Sequence, residues 1–448
     1  MRPRPRTILL SATIALMTAV ALPCAAAGHI NASTLVSTPH GTFSEVAYTR
    51  YEAMFEGVTS THRPYRVPCQ IIAPSVSGAG SGLLLFDWLV PSTIPTAVGQ
   101  EQADARYSMG DAFLFGMGTA YATVRCQQEA IGTESPTVKP TRPWSDGLLD
   151  TSSEFISSAG DEFDIVVDYV NALASDAVAL NLLGTMDRTA AFGYSASGYR
   201  LRGLMRLKMG EGLFDFALVG GTGNGYAQPS GNKVGFSKSE KPPLAGNGLE
   251  IDFQSETDGV VLDAYKTRHE ESNYRAYQFA GASHLRRVDA VEFGLVDPEG
   301  ANPADWTPFF RALFVAGNAW VDGIAPPPSI WLGAPNDASI ARDANGNALV
   351  RYVGRQPANS TGYRLPEVAV GQNQYIPFDP SYNDGSFLRY LRSLSGSHVD
   401  LSDNFTSHSA YVADVETRAL RLQADRYLLA ADAQAIILAA RASDIGVP

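Results

Sequence analysis

The chain has 448 residues, of which 45% are hydrophobic, and its formal net charge at pH 7 is −12. This length and this apolar content are sufficient for a large hydrophobic core, which excludes a disordered protein. An acidic surface repels nucleic acid and anionic membranes, so neither is an expected partner.

The first 27 residues have the order of an export signal. Three arginines precede an apolar run at 8–22, and alanines follow at 25–27. We therefore predict a signal peptide at 1–27 and a periplasmic or extracellular mature protein. Cleavage removes three arginines and no acidic residue, so the charge of −12 becomes −15. The alternative, a lipid-modified Cys24, fits poorly with Pro23 before it. No later apolar run approaches ~20 residues, so no stable membrane insertion is expected.

Two cysteines remain after cleavage, Cys69 and Cys126, and each lies in a segment that has the pattern of a strand. Export places them in an oxidising compartment, which makes this pair a disulfide candidate. Two cysteines without clustered histidines cannot form a closed zinc site, so we expect no metal and no cofactor.

Apolar, β-rich runs alternate with helical stretches along the first two thirds of the chain. The predicted strands are 66–72, 82–89, 121–126, 189–194, 214–219, 249–254 and 274–279, and helical spacing is clearest at 162–174 and 198–208. This alternation predicts the α/β class, with a mostly parallel central sheet flanked by helices. Most of the central runs are nearly all apolar, as in strands buried on both faces.

The pattern changes after residue 284. A helical stretch at 306–321 is followed by prolines at 326–328 and by a Gly-, Asn- and Pro-rich region to about 384, and strong helical spacing returns at 415–442. We therefore predict a main α/β domain at 28–330, which carries the candidate site described next, and a C-terminal extension at 331–448 that packs on it. The sequence leaves the oligomeric state open.

The most informative segment is Gly193-Tyr-Ser-Ala-Ser-Gly198, which lies between a predicted strand and a predicted helix. A sharp turn in this setting is typical of a nucleophile elbow, with Ser195 as the nucleophile. Such a turn forces the nucleophile into strained backbone angles, so its neighbours two positions away must be small, as Gly193 and Ser197 are. The alternative is an ordinary helix start capped by Ser195 or Ser197.

Two further polar groups follow strands downstream of the elbow. The strand at 249–254 runs into Glu256 and Asp258, and the strand at 274–279 runs into His284. The order Ser, acid, His is the one that this elbow requires, and the ends of parallel strands gather at one edge of a sheet. We favour Asp258 as the acid and keep Glu256 as the alternate.

Acyl transfer also needs donors for a developing oxyanion. The backbone N–H of Ala196, directly after the nucleophile, is the first candidate. The second is expected near Leu89 or Val90, with Gln127 as a weaker candidate. The Gly220–Gly225 segment is similar to a phosphate-binding loop, but it lacks an early βαβ setting and is interpreted as a flexible loop over the site.

These segments resemble those of the bacterial "alpha/beta hydrolase domain-containing" family, whose members are large and often exported. The elbow of that family is typically Gly-aromatic-Ser-Gln-Ser-Gly-Arg, which residues 193–200 match except at Ala196 and at an arginine shifted to Arg200. The segments at 255–258 and 280–284 are similar too. The resemblance implies an α/β-hydrolase fold across nearly the whole mature chain. Val90 and Ala196 replace the usual asparagine and glutamine beside the expected site, so substrate preferences do not carry over.

The expected function is that of a secreted serine hydrolase that cleaves carboxylic esters, extended to lactones, through a Ser-His-Asp triad and an acyl-enzyme. The expected partner is a small-molecule ester substrate. An acyltransferase or amidase with the same triad is an alternative, because the chemistry up to the acyl-enzyme is shared. A catalytically inactive exported binding protein with the same fold is the alternative from another class.

Overall fold

The structure is a computed structural model, and it describes residues 28–89, 105–126, 161–230, 233–235, 248–292, 294–335, 337–358, 363–382 and 387–447. The predicted signal peptide lies outside the described residues. Within them, no single helix has the length and hydropathy to cross a membrane. Only one bent pair of helices, Asp161–Ser175 with Ala177–Leu183, passes that test by length and composition, and much of it is buried in the core.

The elements are numbered in chain order. The strands are β1 His29–Phe43, β2 Val46–Val58, β3 Pro64–Pro74, β4 Leu83–Trp88, β5 Ala120–Val124, β6 Arg188–Tyr194, β7 Phe216–Gly220, β8 Gly225–Ala227, β9 Lys233–Gly235, β10 Leu249–Ser255, β11 Glu270–Glu271, β12 Tyr274–Phe279, β13 Ile330–Trp331, β14 Tyr352–Val353, β15 Gln356–Pro357, β16 Asn373–Ile376 and β17 Ser397–Asp400. The helices are α1 Ala105–Met109, α2 Asp111–Gly116, α3 Asp161–Ser175, α4 Ala177–Leu183, α5 Ser195–Arg206, α6 Glu256–Val261, α7 Arg287–Glu292, α8 Thr307–Val321, α9 Pro366–Val370, α10 Phe387–Ser393, α11 His408–Ala424 and α12 Ala430–Ala442.

Among the described residues, thirteen strands form one sheet in the order β1-β2-β3-β5-β4-β6-β7-β10-β12-β13-β14-β15, with β11 paired to β12. The strands from β5 to β13 in this order are parallel, and both ends of the sheet are antiparallel. The α/β prediction is confirmed, and each of the seven predicted strands overlaps one strand of the parallel part or β3.

The hairpin of β1 and β2 was not predicted. Its strands pair over nearly their full length, from His29 opposite Glu56 to Phe43 opposite Val46, and β2 continues the sheet onto β3. The buried positions of β2 include the polar residues Arg50 and Glu52, so the strand has no long continuous apolar run. A search for continuous apolar runs does not detect such a strand.

Helices cover both faces of the sheet. On one face α3, α4 and α5 pack over a cluster that includes Phe86, Ala191 and Leu201. On the other face α1, α2, α8 and the C-terminal helices share a cluster that includes Phe192 and Phe310. The parallel strands are therefore buried on both sides, as expected for this class.

Strand β10 departs from the apolar pattern on one of its faces. Ile251 and Phe253 point to the α8 side, whereas Glu250, Asp252 and Gln254 point to the opposite side and are also buried. Successive side chains of a strand face opposite ways, so the polar residues form a row of their own. Their partners are described with the site below.

The C-terminal region extends the same sheet and the same core. Ile330 pairs with Tyr277 of β12, and β14 and β15 follow as antiparallel strands. Leu422 of α11 and Ile437 of α12 belong to the cluster that also contains Phe310. β13 spans the predicted boundary at residue 330, and that boundary stays a prediction.

The predicted disulfide is wrong for this structure, because Cys69 and Cys126 are both free and buried. Cys69 pairs across the sheet with Val124, the last residue of β5, and Cys126 lies two residues beyond it. Such a diagonal places the Cα atoms about 7–8 Å apart, beyond the reach of a normal bridge. The Cys126 Sγ points to the carbonyl of Glu162, 3.8 Å away. Burial raises the pKa of Cys69 to about 12, so its thiol stays protonated.

Candidate active site

Ser195 lies at the turn between β6 and α5, with a φ angle of 54°. This left-handed conformation is costly for a residue with a side chain, and such strain is found where a surrounding structure enforces it. Tyr194 directly before it has an extended backbone, so the chain turns sharply at the serine. The side chain of Ser195 is half-buried, at the carboxyl ends of the parallel strands.

The small residues around the turn are required by close backbone contacts. A Cβ on Gly193 would lie 3.1 Å from the Ser197 carbonyl oxygen, and one on Gly198 would lie 2.7 Å from the Gly220 carbonyl oxygen. Ser197 is fully buried, and its hydroxyl accepts a hydrogen bond from the Tyr194 N–H at 3.0 Å. It also donates to the Tyr194 carbonyl oxygen at 2.9 Å. Serine at this position therefore adds a brace to the turn that glycine cannot supply.

The structure brings Ser195, His284 and Asp258 into one chain of contacts. His284 Nε2 lies 3.1 Å from Ser195 Oγ, and His284 Nδ1 lies 2.6 Å from Asp258 Oδ1. Both His284 and Asp258 are buried. This arrangement allows the imidazole to accept the serine proton while the carboxylate holds the opposite nitrogen.

Of the two carboxylates that the sequence left open, Asp258 is the one that contacts His284. Its second oxygen, Oδ2, accepts hydrogen bonds from the Ser255 N–H at 2.7 Å and the Ser255 hydroxyl at 2.8 Å. Glu256 instead accepts from the N–H of Gly281 at 2.8 Å and pairs with Arg342 at 2.6 Å. The acid side chains on this short helix, α6, thus point in different directions.

The loop that carries His284 is held by contacts that the sequence did not predict. The Tyr194 hydroxyl donates to the His284 carbonyl oxygen at 2.5 Å, and the Tyr194 ring lies 5.2 Å from the imidazole. Burial raises the pKa of Tyr194 well above its ordinary value, so the phenol stays protonated and remains a donor. Asn302 donates to the Gly281 carbonyl oxygen at 2.7 Å, and the Trp306 indole donates to the Ser283 carbonyl oxygen at 3.2 Å. Tyr194 belongs to the elbow motif, but its bond to this loop was not predicted, and no sequence motif marked Asn302 or Trp306.

The glycine-rich loop after β7 packs directly against the imidazole. Gly221 has a φ of 59°, and a Cβ there would lie 3.0 Å from the Cε1 of His284. The N–H of Gly221 donates to the Phe253 carbonyl oxygen at 3.1 Å, and the N–H of Gly223 donates to Gln254 Oε1 at 2.9 Å. These amides are therefore engaged within the protein, which argues against a phosphate cradle.

The polar face of β10 is neutralised from helix α5. Arg202 is fully buried and lies 3.0 Å from Glu250 and 2.5 Å from Asp252. Asp252 also accepts from the Tyr274 hydroxyl at 2.6 Å. Burial alone would lower the pKa of Arg202, but Asp252 and Glu250 raise it above its ordinary value. In the described part of the chain, no cluster of His, Cys, Asp and Glu could hold a metal ion.

Two of the four candidate oxyanion donors, Ala196 and Leu89, lie in the described part of the chain. Ala196 is the second residue of α5, where the backbone N–H has no partner within the helix. Leu89 is buried and directly follows β4, which pairs with β6 through Trp88 and Gly193. It therefore lies at the same end of the sheet as the elbow. Val90 and Gln127 lie outside the described residues.

The family model described as "Alpha/beta hydrolase domain" matches residues 41–438. The chain therefore belongs to this family, as the resemblance of the elbow predicted. No curated protein shows a match to the chain.

Solved structures with similarity to the chain include three hydrolases. A protein assigned as a dienelactone hydrolase from Klebsiella pneumoniae has 10% identity and a TM-score of 0.34, covering 64% of this chain and 98% of its own. A serine hydrolase without lid from Xanthomonas campestris has 12% identity and a TM-score of 0.30, covering 52% and 85%. A thermophilic PNB esterase has 10% identity and a TM-score of 0.32, covering 58% and 75%.

Proposed function

We propose that this chain is an exported serine esterase. In this proposal Ser195 Oγ attacks the ester carbonyl, His284 takes the serine proton and returns it to the leaving alcohol, and Asp258 stabilises the imidazolium. Water activated by the same histidine then releases the acid and frees the serine. The observation that carries the proposal is the chain of contacts from Asp258 Oδ1 through His284 to Ser195 Oγ, at 2.6 and 3.1 Å.

The surroundings of Ser195 support the same chemistry. Ser195 has a strained φ of 54° at the turn, and the N–H of Ala196 lies in the first turn of α5, where it has no partner within the helix. A tetrahedral oxyanion formed at Ser195 would accept from this N–H, and a donor near Leu89 or Val90 would complete the oxyanion hole. Loss of one such donor typically lowers kcat by about 100- to 1,000-fold.

The substrate class in this proposal is a small carboxylic ester, with lactones included. Lactones undergo the same attack on an acyl carbon, and their leaving alcohol stays attached to the acyl group. Periplasmic or extracellular location is part of the proposal and rests on the pattern of the first 27 residues. Cell fractionation followed by N-terminal sequencing tests it, and a chain that stays in the cytoplasm and still begins at residue 1 would contradict export.

The decisive experiment is labelling with a fluorophosphonate probe, which reacts with activated serines, together with turnover of p-nitrophenyl esters. Wild type is expected to be labelled on the peptide that contains Ser195. Ser195→Ala is expected to lose both labelling and turnover, while Ser175→Ala, which changes an exposed serine at the end of α3, is the control and is expected to keep both. Absence of labelling in folded wild type would contradict the proposal and favour a binding protein. Product analysis with an added alcohol separates hydrolysis from acyl transfer.

A further inference from the structure

Three contacts tie the C-terminal region to the loops that carry Asp258 and His284. The Thr257 hydroxyl donates to the Pro377 carbonyl oxygen at 2.6 Å. The Leu285 N–H donates to the Leu394 carbonyl oxygen at 3.0 Å. Arg342 reaches Glu256 at 2.6 Å. Each contact thus joins a residue next to the triad with a residue beyond 330.

The contact made by Glu256 differs from the other two because one side chain connects three parts of the fold. Its Oε1 pairs with Arg342, and its Oε2 accepts from the backbone N–H of Gly281, three residues before His284. Glu256 itself begins helix α6, which carries Asp258. The carboxylate of Glu256 therefore connects the segment that carries Asp258, the loop that carries His284 (the base loop) and the C-terminal region.

The charge of this carboxylate depends on the C-terminal arginine. Glu256 is only 1% exposed, and burial raises its pKa, while Arg342 and the Gly281 N–H act in the opposite direction. Arg364 is the other cation that acts on it, and that arginine is paired with Asp343 at 2.6 Å. On its own helix, Asp258 is the other acidic residue. Removal of Arg342 leaves a buried carboxylate with less compensation, which favours its protonation and weakens the bond to Gly281.

We propose that Glu256 and Arg342 are positioning residues for His284, through which the C-terminal region sets the activity of the triad. This inference rests on the proposed esterase function. A misplacement of about 1 Å can lower the rate of a reaction by about 100-fold, so a tie on the base loop has kinetic consequences. Glu256 thus acts beside the triad rather than as the alternate acid in it.

The test compares Arg342→Gln, Arg342→Lys and the double variant Glu256→Gln with Arg342→Gln, using kcat per serine titrated by the fluorophosphonate. Arg342→Gln is expected to lower kcat by about 10- to 100-fold with little change in KM, because the base rather than the substrate is displaced. Arg342→Lys is expected to restore most of the activity. The double variant is expected to exceed Arg342→Gln, because it removes the uncompensated carboxylate as well.

The pH profile gives a readout that a merely structural tie would not move. In Arg342→Gln the acid limb of kcat/KM is expected to shift to higher pH, since Glu256 then takes up a proton more readily and releases Gly281. Asp432→Asn is the matched control: it breaks a pair of the same length, 2.6 Å, between Arg311 of α8 and α12, away from the triad loops. That control is expected to keep the wild-type acid limb.

The outcomes separate the two proposals. If Arg342→Gln and the double variant keep the wild-type kcat per titrated serine and the wild-type acid limb, the positioning role is overturned even where melting temperature falls. If wild type is neither labelled at Ser195 nor active on esters, the esterase function fails and the positioning role fails with it. If Arg342→Gln does not fold, Arg342→Lys and the double variant decide by the same two readouts.

Discussion

Strand β10 leads to two buried carboxylate sites that differ in their surroundings. Asp252, within the strand, is enclosed by Arg202, Tyr274 and Gln254, all at 2.5–2.6 Å. Asp258, just beyond the strand, contacts His284, whose other nitrogen faces the half-buried hydroxyl of Ser195. Burial and charge are common to both sites. They differ in what their partners contact: the partners of Asp252 are all engaged in the core, whereas the contacts of Asp258 lead through His284 to the hydroxyl of Ser195.

Loss of the carboxylate charge is expected to have different consequences at Asp252 and at Asp258. An ion pair with every partner fixed contributes to the folded state, and breaking it leaves an uncompensated charge in the core. A carboxylate behind a histidine stabilises a charge that develops only during the reaction. We therefore expect changes near Asp258 to act on kcat and changes near Asp252 to act on stability.

The largest effect is expected from Asp258→Asn. The amide keeps the volume and the contact with Ser255 but presents His284 with a neutral group and the wrong tautomer, so kcat is expected to fall by about 10,000-fold. Melting temperature is expected to change little. Ester turnover by the purified variant and a thermal melt check this. A loss below about tenfold would place Asp258 with Asp252 as a structural acid.

A loss of stability with little change in kcat is expected from Arg202→Met, which removes the cation that contacts both Glu250 and Asp252. The free energy of unfolding is expected to fall by about 3–5 kcal/mol, because Asp252 loses the cation beside it and Glu250 keeps only the more distant Arg206, at 3.7 Å. Denaturant unfolding measures it, and kcat per titrated serine is expected to stay within about tenfold of wild type. Arg441→Met is the control: its pair with Glu416 is half-exposed, so a change of at most about 1 kcal/mol is expected. Equal losses in the two variants would contradict the comparison.

The sequence predicted the triad around Asp258 better than the ion-pair cluster around Asp252. Ser195, Asp258 and His284 each follow a strand, in an order that one fold requires, so three local patterns were enough to predict a common site. Arg202 gave no such signal, because one arginine in a helical segment is usually exposed. Its burial depends on Glu250 and Asp252, which are 48 and 50 positions further along the chain and carry no motif.

The parallel core of the fold was also predictable, whereas its borders were not. Continuous apolar runs identified the strands that are buried on both faces. The β1–β2 hairpin and the short strands β13 to β15 lie towards the two ends of the sheet, where one face or one edge meets solvent and the pattern weakens. The disulfide prediction failed for a related reason: the register that separates Cys69 from Cys126 is a property of strand pairing.

A smaller effect on the triad is expected from Gly221→Ala. The added Cβ would lie 2.7 Å from the Tyr194 ring and 3.0 Å from the imidazole, so the base must shift, and kcat is expected to fall by about 10- to 100-fold. Gly212→Ala is the matched control, since Gly212 has a similar positive φ of 75° but no neighbour within 4 Å. Both variants carry the backbone strain of alanine at positive φ. Equal kcat in the two would show that contact with His284 is without consequence.

The smallest effect is expected from Tyr194→Phe, which removes one hydroxyl and keeps the ring beside the imidazole. The His284 carbonyl oxygen loses its donor at 2.5 Å, and we expect kcat to fall by about 3- to 10-fold with about 1–3 kcal/mol of stability lost. Tyr427→Phe loses a similar bond, to the Pro328 carbonyl oxygen at 2.6 Å, far along the chain from the triad. It is expected to lower stability alone. If the two variants lose the same stability and only Tyr194→Phe has a lower kcat, then the hydrogen bond of Tyr194 positions the triad in addition to stabilising the fold. The same kcat in both would make Tyr194 as structural as Arg202.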